Sequence, residues 1–163
     1  MTTATISYGT SAALTATLAS LASDTNLIAG RQSTVIDNTS DVAIDAIVGG
    51  KVTTGTSPTA SRQIEVWAFG SYDGTTYSAG AGASDANFSP TGEKTLMSLL
   101  TVIPTDSTSN HAYEWGPFSV AQAFGGTMPK KWGIFIVHNT GVNLNSTGGN
   151  HEIKYTPVKY ASA

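Results

Sequence analysis

No cysteine occurs among the 163 residues, which excludes a disulfide framework and any zinc site built on thiolates. Charge is scarce too: Asp, Glu, Lys and Arg make up 12% of the chain, about half the usual share. The net charge is −3 with only eight Lys and Arg. Phosphate binding draws on counterion release from clustered cations, so no nucleic-acid partner is expected. The one basic pair, Lys130-Lys131, reads as a solvated turn. No apolar run approaches the roughly 18 residues of a membrane span, and no membrane partner is expected. The start, Met1-Thr2-Thr3-Ala4-Thr5, lacks a basic leader, so synthesis in the cytoplasm without a visible export signal is expected.

What the chain does hold is 40% hydrophobic residues and, in Ser and Thr together, roughly a quarter of its length, well above common usage. Hydroxyls, amides and glycines therefore supply the polarity. Thr suits pleated surfaces and Ser and Gly suit turns, so the composition points to many short strands and loops. The length fits one domain with a sizeable core.

Residues 1–30 differ from the rest. In the segment from Thr10 to Leu21, Leu14, Leu18 and Leu21 follow a helical i, i+4, i+7 spacing, while the Thr and Ser around them weaken a helix. The segment reads as an extended arm or short helix at the subunit's edge, with these leucines set against a neighbour rather than in the core. The β signal begins near residue 33. Ser33 to Asp37 and Asp41 to Val52 read as strands, the second with Val42, Ile44, Ala46 and Val48 on one face. Gln63 to Phe69 is the clearest strand, apolar on both faces, and so suited to a core on one side and a second layer on the other. Thr95 to Ile103, Tyr113 to Val120 and Glu152 to Val158 follow the same habit, and Trp132 to His138 is apolar throughout, as a buried strand is. About eight strands with no fixed repeat predict an all-β fold, a single antiparallel jelly-roll-like β-sandwich over residues 31–163 carrying the N-terminal arm. Two long polar loops, 70–92 and 139–150, are expected to face solvent or a neighbour.

Residues with chemistry are few. His111, His138 and His151 each adjoin an Asn, no two at close metal-ligand spacing, and read as hydrogen-bonded strand ends. Glu65, Asp73, Glu93 and Glu114 could in principle supply a glycosidase's carboxylate pair, but sequence brings no two together. The run Asp37 to Asp41 reads as a capped turn, since it lacks the full calcium-loop pattern. No Gly-x-Ser-x-Gly elbow occurs, and Gly80-Ala81-Gly82 precedes no lysine or helix start. The chain is therefore expected to be no enzyme and to need no cofactor or metal. Among the aromatics, Trp132 reads as core, whereas Tyr72, Tyr77 and Trp115 could stand exposed as an interface anchor or sugar platform.

The stretch from Phe124 to Gly141, FGGTMPKKWGIFIVHNTG, resembles one found in small proteins encoded among the structural genes of tailed bacteriophages. Ile28 to Thr34, Asp37 to Ser40 and Val48 to Gly55 fit the same group. The resemblance spans most of the chain and implies a virion component, either a head decoration (cement) protein or a tail-associated one. It implies a homotrimer on the capsid surface whose partner is the major capsid protein, contacted through the arm and strand edges. The competing expectation is a carbohydrate-binding or host-adhesion module on a tail or fibre, using Tyr72, Tyr77 and Trp115.

Overall fold

In the computed structural model, which describes residues 4–90 and 93–162, two antiparallel sheets pack as a β-sandwich. The first sheet contains β1 (Ala4–Tyr8), β2 (Ala12–Ala13), β5 (Asp45–Thr53), β9 (Ala112–Ser119) and β11 (Glu152–Ser162). Its order is β1-β11-β5-β9, with β2 also paired to β11. The second contains β3 (Gly30–Gln32), β4 (Ile36–Asp37), β6 (Arg62–Ser71), β7 (Ala86–Phe88), β8 (Ser98–Thr105) and β10 (Lys131–His138). Its order is β7-β3-β10-β6-β8, with β4 also on β10.

Alternation explains how the layers form. Ile64, Val66 and Ala68 of β6, with Ile134 and Ile136 of β10, point between the sheets and meet Val48, Val52 and Ile153 from the other side. The alternate residues, Trp67 and Phe69 of β6 with Phe135 and Val137 of β10, build a second cluster on the outer face. Ala79, Ala81 and Met97 close over that cluster. The second sheet is thus buried on both faces, which is why β10 carries no polar alternation. Each large side chain so covered stabilises the fold by about 1.5–3 kcal/mol.

Residues 77–90 and 93–97 are accordingly a cover and not a free loop. Its attachment is polar: Arg31 Nε meets Asp85 Oδ1 at 2.5 Å, and the Thr17 hydroxyl donates to the same carboxylate at 2.6 Å. Burial raises the Asp85 pKa while the Arg31 and Thr17 hydrogen bonds lower it, and the net direction is downward. The Asp37 turn forms as expected: Asp37 caps the helical turn Asn38–Asp41 by accepting from the Thr39 amide. Val42 then leaves in a left-handed conformation with its side chain exposed, so β5 starts at Asp45 and not at Asp41.

The N-terminal expectation needs correction. Leu14, Leu18 and Leu21 are buried in the sandwich core beside Leu144 and Ile153. The i, i+4, i+7 spacing makes no helix there: β2 is followed by irregular chain whose leucines turn inward. Thr15 O accepts from Thr34 N, Leu21 O accepts from Leu144 N, and Leu21 N donates to Leu18 O. The boundary at residue 30 does not divide the structure, since residues 4–13 supply two strands and Leu14, Leu18 and Leu21 pack in the core. Burying three leucines outweighs the local propensity of a Thr-rich segment.

Where β5 and β9 approach most closely, glycine is required. A Cβ on Gly116, whose φ is +89°, would stand 2.7 Å from Gly49 Cα and Val48 O. The ladder slips register there, between Val48 and Gly50.

Candidate functional site

Glu65 on the outer face of β6 accepts from Lys94 Nζ at 2.7 Å, Trp67 Nε1 at 2.9 Å and Gln63 Nε2 at 2.8 Å. Lys94 also donates to Leu27 O at 2.6 Å and lies 5.2 Å from the centre of the Trp67 ring. Both carboxylate oxygens are engaged, so the group is a clamp on the cover and not a free base. Glu114 lies on β9 in the other sheet, exposed, and Asp73 closes the turn after β6. Asp73 accepts from the Thr75 and Thr76 amides and the Ser71 hydroxyl. Those amide bonds hold its carboxyl far below the usual range.

The histidines are tied into backbone. His138, at the end of β10, is fully buried, with Nε2 3.1 Å from Leu21 O and Nδ1 2.9 Å from the Thr140 hydroxyl. Leu21 O only accepts, so Nε2 carries the hydrogen. Burial, the largest influence, pushes its pKa down to about 4. His151 Nδ1 accepts from the Thr53 amide at 3.3 Å and Nε2 faces Asn145 O at 2.9 Å. Burial lowers its pKa as well. At the β8–β9 turn, Asp106 holds the Thr108 amide, the Tyr113 hydroxyl and His111 Nδ1. The Thr108 amide contributes most to bringing its carboxyl down to about 2. Among the described residues, no three His, Cys, Asp or Glu side chains gather as metal ligands, and no helix is long and apolar enough to cross a membrane.

The three aromatics named from the sequence separate. Trp115 is 7% exposed and packs in the core with its ring stacked on Phe118, so the expectation of an exposed Trp115 is corrected. It lies on β9 with its neighbours Glu114 and Gly116 facing out, and the strand's period of two turns the indole inward. Tyr77 is half-buried, edge-on to Phe69 at 6.2 Å. Tyr72 alone projects, 80% exposed, beside a cleft of about 450 Å³ lined by Gly70, Phe124, Met128 and Pro129. No row of stacking rings forms from these three.

No protein-family model, curated protein or solved structure matches the chain. Function must be read from its own surfaces.

Two apolar surfaces stand out, and sequence reading missed both. On β8, the edge of the second sheet, Leu99 and Val102 stand opposite Trp67 and Glu65, and hence on the outer face. They are 48% and 41% exposed, and Leu96, just before the strand, is 66% exposed. The register shift between Val66 and Trp67 lets Leu99 and Val102 share a face although they are three apart in sequence. The second surface is a two-stranded ribbon. Beyond Val158, β11 pairs with β1 and no longer with β5, in the register Ala4↔Ser162 to Tyr8↔Val158. Ile6, Tyr8 and Tyr160 lie on one face of it, 62%, 70% and 68% exposed. The period-two pattern of Ala4-Thr5-Ile6-Ser7-Tyr8 was the available signal for β1. For β8 the doubled Leu99-Leu100 and Val102-Ile103 hid the alternation.

Proposed function

We propose that this chain is a non-enzymatic structural protein of a tailed-phage virion, decorating the head where major capsid subunits meet. The observation that carries the reading is the apolar edge of Leu96, Leu99 and Val102 on a sheet packed on both faces. Such a patch on a rigid support is the form a protein-binding surface takes. The resemblance of residues 124–141 to phage structural proteins supplies the kind of partner. The contact has moved from where the sequence placed it: with Leu14, Leu18 and Leu21 internal, the β8 edge takes the role expected of the arm. Repetition over a capsid makes a weak single contact sufficient.

The test is rebinding of purified chain to particles that lack it, followed by cryo-electron microscopy. Wild-type chain is expected to give density on the head with β8 against capsid. The double substitution Leu99→Gln, Val102→Thr, which brings no second carboxylate opposite Glu65, is expected to cut rebinding sharply with the fold retained. Density on the tail alone, or undiminished rebinding by the double variant, would sink the reading. A host-adhesion module is the second reading, and the observation favouring it is Tyr72 beside its cleft. Its mark is glycan binding that disappears in Tyr72→Ala.

A further inference from the structure

We infer that two copies of this chain join through β1, edge to edge and antiparallel, about a two-fold axis at Ile6. Gly9 N donates to Pro157 O at 2.8 Å, and the Thr5 hydroxyl reaches Ala161 O, the residue opposite it. Backbone groups alternate sides along a strand, so Thr5, Ser7 and Gly9 aim at β11 while Ala4, Ile6 and Tyr8 aim away. β1 is the terminal strand of its sheet, and among the described residues no strand pairs with its outer side. Three amides and three carbonyls therefore form an open ladder.

The usual protections of such an edge are missing. β1 carries no charge, no proline and no bulge, and all five residues are exposed. An isolated two-stranded ribbon is marginal in water, and this one also presents Ile6, Tyr8 and Tyr160 on one face.

A second copy fits this edge by its own sequence. Pairing centred on Ile6 sets Ile6 against Ile6, Ala4 against Tyr8 and Thr5 against Ser7 of the other copy. Only this register brings every outward group of Ala4, Ile6 and Tyr8 to a counterpart, closing six hydrogen bonds; centres at Thr5 or Ser7 use two residues per strand. The side chains agree. Small Ala4 faces large Tyr8, hydroxyl faces hydroxyl, and the apolar row runs Tyr160, Ile6, Ile6, Tyr160 across four strands. No like charges meet across the paired β1 strands. The inference uses a different edge from the capsid reading, which rests on β8 of the other sheet, and it sets a dimer in place of the homotrimer that the phage resemblance implies.

The full chain should sediment and scatter at about twice 16.8 kDa at micromolar concentration. Ile6→Pro removes an outward amide and leaves the bonds to β11 in place; it is expected to raise the dissociation constant about tenfold or more with an unchanged far-ultraviolet circular dichroism spectrum. Because the chain has no cysteine, Ile6→Cys reports on the axis directly. Mild oxidation should join copies at position 6, where the paired Cα atoms would lie about 5.5 Å apart, and not at Tyr72→Cys. A monomer at all concentrations, a trimer, a dimer indifferent to Ile6→Pro, or equal cross-linking at both positions overturns the inference.

Discussion

His138 makes acidification a sharp probe of this fold. Its imidazole is fully buried and held neutral, with a pKa pushed down to about 4 by burial. In the unfolded chain the same group takes a proton near pH 6.5. Between those values the unfolded state binds the proton and the folded state does not, so stability rises with pH and falls as pH falls. The loss amounts to about 2 kcal/mol between pH 7 and 5 and approaches about 3 kcal/mol near pH 4. Urea unfolding at half-unit steps from pH 7.5 to 4.5 measures it. The control is His138→Gln, which has nothing to titrate at that position; it should be less stable at pH 7 and lose less stability on acidification. His151, also lowered by burial, adds a slope common to both proteins. If the wild type and His138→Gln lose stability in parallel, the buried neutral imidazole is not the source and the reasoning fails.

Leu18→Ala tests whether the N-terminal segment belongs to the core: with Leu18 buried, the cost should be about 2–5 kcal/mol by chemical denaturation, and a change within experimental error would return the segment to the surface. Lys94→Met leaves Glu65 buried without its cation and should cost about 3–5 kcal/mol, with faster amide exchange concentrated in residues 77–97; uniform exchange across the sandwich would deny the cover any separate identity.

Much of the sandwich was legible because periodicity is a backbone property. β6 and β10 declare themselves through Ile64 to Phe69 and Trp132 to Val137, and the capped turn at Asp37 follows from side-chain chemistry alone. What failed were statements about which side of the molecule a residue faces. Leu14, Leu18 and Leu21 look like an outward helical stripe until Leu144 and Ile153, over a hundred residues away, are brought beside them. Trp115 and Tyr72 are equally aromatic in sequence, and only the phase of β9 and the turn after β6 decides that one is inside and the other out. The apolar β8 edge was hidden for a similar reason, since a single register slip changes which of two adjacent leucines meets solvent. The cover over Trp67 and Phe69 could be inferred only as a requirement; nothing local marked Ala79, Ala81 and Met97 as its material.

The pairing of β1 with β11 also sets a timetable. Ala4 meets Ser162 and Tyr8 meets Val158, so β1 must wait for a partner strand made about 150 residues later. At ribosomal rates of about 5–20 residues per second the wait is roughly 7–30 seconds. Throughout it, Leu14, Leu18 and Leu21 lack Ile153, and β5 lacks its neighbour β11. A sheet closed by its ends folds only after synthesis of that sheet is complete, with long-range pairing as the slow step. During that interval the uncharged strand Ala4–Tyr8 can pair with the same strand of a neighbouring nascent chain. Crowding on one messenger would therefore favour assembly and aggregation through the same five residues, and yield should depend on how fast the chain is translated.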